Sequence, residues 1–108
     1  MAVSIRRAIQ DKQAQGINER RAYYFSTIPW LGTSAAPSAP VVTVYDITKP
    51  TWVNVTSTCV SGVASVLADV VTTGLIIALT AGHNYRVEVL FVGNGNTEIM
   101  YFELLGER

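Results

Sequence analysis

The chain has 108 residues, 49% hydrophobic and 15% charged, which suits one folded domain and excludes a disordered chain. One cysteine and one histidine exclude a disulfide framework and any metal site built from several of either. The formal charge is zero, which argues against a generally basic nucleic-acid binder, but it is unevenly split: residues 1–21 carry five cations against two acids, net +3, and residues 22–108 three cations against six acids, net −3.

Residues 1–19 read as an arm set apart from a body at residues 20–108. Ser4 can cap a short helix to about Gln15, with Gly16 as its stop. Ile5, Ala8 and Ile9 would share one side of it, but the apolar stripe is thin. Arg6 and Arg7 stand where the helix dipole disfavours cations, so such a helix is marginal alone. The expectation is an arm, helical or extended, ordered by a partner or flexible.

Residues 20–28 form the first strand candidate, with Tyr23 and Phe25 on one face, and Pro29 ends it. Residues 32–40, GTSAAPSAP, are small and punctuated by proline, which reads as an extended connection. Residues 41–47, 52–60, 63–71 and 75–79 follow as strands, separated by Thr48-Lys49-Pro50, Ser61-Gly62 and Thr72-Thr73-Gly74. Residues 63–82 are apolar over about the length of a membrane-spanning helix. Asp69 and the Thr-Thr-Gly break, with the valine and threonine content, favour two core strands and a turn instead. The N-terminus lacks the apolar run of a secretory signal. No membrane association is expected.

The end of the chain carries the strongest pattern. Tyr85, Val87, Val89 and Phe91 alternate with Arg86 and Glu88, so they face opposite ways. Gly93-Asn94-Gly95-Asn96 tolerates positive φ and suits a hairpin. Met100, Phe102 and Leu104 then share one face of the returning strand, and Ile99, Tyr101 and Glu103 the other. About seven strands with regular turn signals predict an all-β sandwich.

The stretch Leu79-x-x-Gly82-x-x-Tyr85-x-Val87-x-Val89 resembles the corner between the fifth and sixth strands of fibronectin type III and related immunoglobulin-like domains. There a tyrosine hydroxyl turns back to the backbone upstream. The resemblance implies an immunoglobulin-like β-sandwich with Tyr85 at the corner, Leu79 beneath it and Gly82 supplying backbone freedom. A segment like residues 1–19 is no part of the ordinary module, and the fold by itself implies no function. The whole chain, with its basic start, Tyr-Tyr-Phe strand, Pro-Trp-Leu-Gly step and Val/Thr-rich sandwich, resembles small structural proteins of tailed-phage virions. That resemblance implies a capsid-decoration or head–tail junction component, present in host cytoplasm before assembly. Its partners would be capsid or head–tail proteins, and it would be a homo-oligomer or many copies on a lattice. The alternative is a fibronectin type III-like ligand-binding module of a secreted or cell-surface protein.

No catalytic constellation is legible. His83 stands in a predicted corner without a nucleophile or orienting acid near it in sequence, and reads as a solvent-facing turn residue. Cys59, on a Val/Thr strand without a basic neighbour, reads as a packed hydrophobe. Glu98 and Glu103 fall on opposite faces of one strand, which does not make an acid–base pair. The Gly-x-Gly at residues 93–95 joins strand to strand and lacks the helix a phosphate cradle needs. Asn54-Val55-Thr56 is a glycosylation sequon whose meaning depends on a secreted setting. Asp46, Asp69 and the C-terminal glutamates are too scattered for a calcium loop. No cofactor is expected, and the chain is not expected to be an enzyme.

Arg6, Arg7, Arg20 and Arg21 are a modest footprint for nucleic acid, and pairing with acidic protein surfaces is more economical. With Ile9 and Trp30 they form the expected partner-binding set. Trp30 follows Pro29 and precedes the small-residue connection, a position suited to an interface. Trp52, on a strand, is expected in the core.

Overall fold

The computed structural model describes residues 4–7, 13–31 and 36–108, and for residues 4–7, 29 and 30 the backbone only. The chain is mostly β, arranged in three sheets. Its frame is the hairpin of β10 (Asn84–Gly93) and β11 (Asn96–Glu107). Asn94 and Gly95 turn it at φ 53° and 74°, the doubly positive φ that matches the twist of a two-residue hairpin loop. β4 (Ser38–Asp46) runs antiparallel to β10, Tyr85 opposite Asp46 and Val89 opposite Val42, with a shift in register between Leu90 and Val92. The two-residue β5 (Val53–Asn54) lies beyond β4.

The other edge of β11 is covered by the N-terminal segment. β1 (Ser4–Arg7) pairs with it in parallel, Ser4 opposite Glu98 and Arg7 opposite Tyr101. β2 (Gln13–Gly16) continues further along, Gln13 opposite Leu104 and Gly16 opposite Glu107. Of the helical and extended alternatives for this arm, the described residues 4–7 and 13–16 take the extended one. The physical reason is that a twelve-residue strand otherwise presents an open row of backbone donors and acceptors. A thinly amphipathic helix with cations in its first turn offers little to compete with that.

Two small sheets face the main one. β3 (Tyr24–Ser26), β8 (Val70–Thr72) and β7 (Ser65–Leu67) lie in the order β3-β8-β7. β6 (Val60–Ser61) pairs with β9 (Leu75–Ile76). The core fills the space between, with Val44, Tyr85, Val87, Val89, Phe91, Met100, Phe102 and Leu104 from the main sheet meeting Val71, Ile76, Cys59, Leu79 and Leu31. Tyr23 packs on Phe102 at 5.1 Å between ring centroids, and Phe25 on Phe91 at 5.8 Å.

Three expectations over the middle of the chain change. Residues 52–60 are not one strand. After β5 the Asn54 side chain accepts the Thr56 N–H at 3.0 Å, and Val55 O accepts from Thr58 and Cys59. The helical turn α2 (Thr56–Cys59) results, and it drops Cys59 into the core. Residues 63–71 are likewise not one strand but the start of the β7–β8 hairpin, turned at Ala68 (φ 53°). Trp52 is not core: it is 48% exposed. It precedes β5 at the sheet edge and packs at a tilt against Tyr45, 5.8 Å between ring centroids, while phenylalanines and tyrosines fill the space between the sheets. Among the described residues no helix is long and apolar enough to cross a membrane.

The corner closes the fold at one end. The buried Tyr85 hydroxyl accepts the Thr80 backbone N–H at 2.7 Å, over a buried Leu79. Gly82 has φ +81°, and its N–H donates to Gly106 O at 2.9 Å. Gly106 has no room for a side chain, because a Cβ there would overlap Thr80 O.

Candidate interaction surface

The outward residues of β4, β10 and β11 form three rows across the main sheet, fixed by register. Val41, Leu90 and Ile99 make an apolar row. Thr43, Glu88 and Tyr101 make the next, and Tyr45, Arg86 and Glu103 the third. Arg86 Nε lies 2.8 Å from Glu88 Oε2, an ion-pair contact without the alignment of a hydrogen bond. The Arg86 guanidinium carbon is 3.6 Å from the Tyr101 ring centroid and 5.2 Å from that of Trp52, within reach of a cation–π attraction. Arg86 is thus held between two rings and one carboxylate. Six of these nine residues are uncharged; Arg86 is paired with Glu88, and Glu103, directly across from Arg86, leaves the face with one acid in excess.

The expected partner-binding residues do not form one cluster. Arg6 and Arg7 are on β1, at the edge of this sheet beside Met100 and Tyr101. Arg20 and Arg21 are exposed on the approach to β3, in the other layer, where Arg21 bridges to Ile76 and its guanidinium lies 5.8 Å from the Tyr23 ring. Ile9 lies outside the described residues. Trp30 falls in the short helical turn α1 (Ile28–Leu31), and its side chain is outside the description. Sequence reasoning put Arg86 and Glu88 on the outward face but not the Arg86, Tyr101 and Trp52 stack. That stack depends on register between three strands, which alternation within one strand does not contain.

His83 also differs from expectation. It is half-buried, and its Nδ1 lies 2.7 Å from Asp46 Oδ2, across 37 positions of sequence. Burial acts to raise the Asp46 pKa, but hydrogen bonds from His83 and Thr48 outweigh it and hold the carboxyl below its ordinary value. The same turn is tied to β10 by Ile47 N–H to Asn84 O at 2.9 Å and Asn84 N–H to Thr48 Oγ1 at 2.9 Å. Asp46, Thr48, Lys49, Thr51, Val53 and His83 line a shallow recess of about 130 Å³. A His–Asp pair performs acyl chemistry only when a nucleophile meets the other ring nitrogen. Here the pair joins two turns.

Cys59 is buried, its Sγ is 3.8 Å from Ala78 O, and burial together with the Asp46 charge pushes its thiol pKa up. That holds it as a thiol, the unreactive form. Glu98 points inward with Met100 and Phe102 and is buried, whereas Glu103 points outward. No three His, Cys, Asp or Glu side chains among the described residues are placed to share a metal ion. Comparison with protein-family models, with curated proteins and with solved structures finds no match to this chain.

Proposed function

We propose that the chain is a non-enzymatic binding component of a larger protein assembly, built on an immunoglobulin-like sandwich. The setting its sequence resembles is the tailed-phage virion, with capsid or connector subunits as partners. The observation that carries the binding reading is the outward face of the main sheet. An apolar row and an aromatic cluster lie there beside Arg86, whose charge is paired with Glu88, so the part of the face around them can lose water with its cation kept against a carboxylate. Support for the immunoglobulin-like fold is the strand order. The series β11-β10-β4-β5 with a parallel N-terminal strand on β11, opposite β3-β8-β7, corresponds to the G-F-C-C′ and B-E-D arrangement of that sandwich. The Thr80 N–H to Tyr85 hydroxyl bond, from a corner tyrosine back to the backbone upstream, is a second feature in favour of that reading.

Arg6 and Arg7, on the strand at the edge of this face, supply the complement to acidic neighbouring subunits. A single small contact is weak, but many copies on a symmetric particle hold through effective concentration. The test is sedimentation of the purified chain with assembled heads and tails of the parent phage. The wild type is expected in the pellet, and the Arg6→Glu/Arg7→Glu variant largely in the supernatant. A wild-type chain that stays in the supernatant at low salt overturns the reading.

A further inference from the structure

We propose that Asn94 is a self-modification site: the Gly95 backbone nitrogen displaces its side-chain amide, and the acid formed releases α1 from the tip of the β10–β11 hairpin. The first argument is the tip itself. Of the five asparagines, Asn18, Asn54, Asn84, Asn94 and Asn96, Asn94 alone precedes glycine. The others precede Glu19, Val55, Tyr85 and Thr97, whose side chains crowd the backbone nitrogen that would attack. Gly95 has open space where a side chain would stand, and both tip residues are exposed. In a two-residue loop the closing hydrogen bonds belong to the flanking pair, here Gly93 and Asn96, so the Gly95 nitrogen is not spent on the ladder. The step needs only water. The Gly95 nitrogen bonds to Asn94 Cγ and gives up its proton, the Cγ–Nδ2 bond breaks, and ammonia leaves with that proton. The cyclic imide that remains takes up one water at either carbonyl, giving an aspartyl or an isoaspartyl residue at position 94, with no change of oxidation state.

The second argument is what the amide holds. Asn94 Nδ2 donates to Leu31 O at 3.2 Å. Leu31 is buried, and a Cβ at Gly93 would overlap its side chain. The last residue of α1 is thus docked on the hairpin tip through one side chain and one hydrogen bond. Loss of the amide turns that donor into a carboxylate oxygen facing a carbonyl oxygen, acceptor against acceptor. The isoaspartyl product also lengthens the backbone of a loop whose two-residue length matches the twist of its strands. α1 carries Trp30, so the change reaches the expected partner-binding set. While the bond stands the amide is held against α1, and attack waits on local opening of the tip.

The test is ageing of the whole purified chain in mildly alkaline buffer, folded and in urea, followed by peptide mass mapping and an isoaspartate assay. Conversion is expected at Asn94 ahead of the other four asparagines, with the mass gain of an amide-to-acid exchange, and at least ~10-fold faster in urea. Asn94→Gly, which keeps the positive φ of the turn, is expected to form no isoaspartate at the tip. Asn94→Asp carries one product from the start. Its readout is hydrogen exchange at the Leu31 N–H, which donates to Thr27 O at 2.9 Å. Exchange there is expected about 10-fold faster than in the wild type, the effect of one hydrogen bond lost and an unfavourable contact left in its place, with circular dichroism unchanged. A folded chain in which Asn94 stays intact, or in which another asparagine converts first, overturns the modification site. A rate no faster in urea overturns the hold of α1 on the amide, and wild-type exchange at Leu31 in Asn94→Asp overturns the release of α1.

Discussion

Replacing Gln15 by alanine tests whether the N-terminal segment is part of the fold. Gln15 is fully buried. Its Nε2 donates to Ile76 O at 2.7 Å and to Glu19 O at 3.1 Å, and its Oε1 accepts from the Tyr23 hydroxyl at 2.7 Å. One side chain on β2 thus ties the main sheet to β9 and to the approach to β3. The bond to Glu19 is near solvent and counts for little. Each of the other two contributes about 1 kcal/mol net, and leaving the Tyr23 hydroxyl without its acceptor adds about 1–2 kcal/mol. The expected loss is about 3 kcal/mol, a large share of the roughly 5–15 kcal/mol that holds a domain of this size. The melting temperature should fall by about 12–15 °C, since 1 kcal/mol moves it about 4–5 °C at this chain length.

Urea titration followed by circular dichroism measures the loss directly, and Tyr23→Phe supplies the partner for a double-mutant cycle. The single losses should exceed the double by about 1 kcal/mol, the coupling of a direct contact. A loss under about 0.5 kcal/mol with no coupling would falsify the argument that the segment is locked into the sandwich. Alkaline pH gives a second check on the same network. The Tyr23 pKa is raised, chiefly by burial, with the Arg21 charge opposing and Glu19 adding. A raised folded pKa means stability present below the unfolded value, near pH 10, and lost as pH rises above it. Tyr23→Phe should remove that part of the alkaline loss.

Tyr85→Phe removes the hydroxyl that accepts the Thr80 N–H and should cost about 1–2 kcal/mol in urea titration, with the fold kept because the ring still fills its place. An unchanged midpoint would show that water satisfies Thr80 equally well. The lowered Asp46 pKa fixes the sign of an acid effect. A depressed carboxyl contributes stability above its unfolded value, near pH 4, and loses it as pH falls through the folded value. Asp46→Asn should therefore be less stable than wild type at neutral pH and approach it as the pH falls through the folded value of that carboxyl; two parallel stability curves would contradict this.

Much of the framework is legible in the alternation of residues 84–105. Tyr85, Val87, Val89 and Phe91 are buried, as are Met100, Phe102 and Leu104, and the turn stands at Asn94-Gly95. A long hairpin is local, so its signal is too. The middle of the chain is less legible, because the Asn54 side chain and a helical turn interrupt a stretch whose Val/Thr content reads as strand throughout. The N-terminal strands are not legible at all. Ser4–Arg7 and Gln13–Gly16 carry weak intrinsic preference, and what makes them strands is the unpaired edge of β11 at the far end of the chain. The His83–Asp46 pair and the Arg86 stack are hidden for the same reason, since each joins residues that only register brings together.

The split in charge at residue 21 acquires a structural meaning from this arrangement. It is no boundary between a fold and a tail, because β1 and β2 belong to the main sheet. β1 is the outermost strand on that side of the described sheet, and it carries Arg6 and Arg7. Cations on an edge strand oppose strand-to-strand addition of another chain, since two such edges repel. The outward face carries Arg86 against Glu88 and Glu103, one cation to two acids, so its excess charge is opposite in sign to that of the Arg6 and Arg7 edge. Raised salt should therefore weaken a contact made through this edge more than one made through the row of Val41, Leu90 and Ile99, because screening weakens contacts between exposed charges while leaving burial of apolar surface intact.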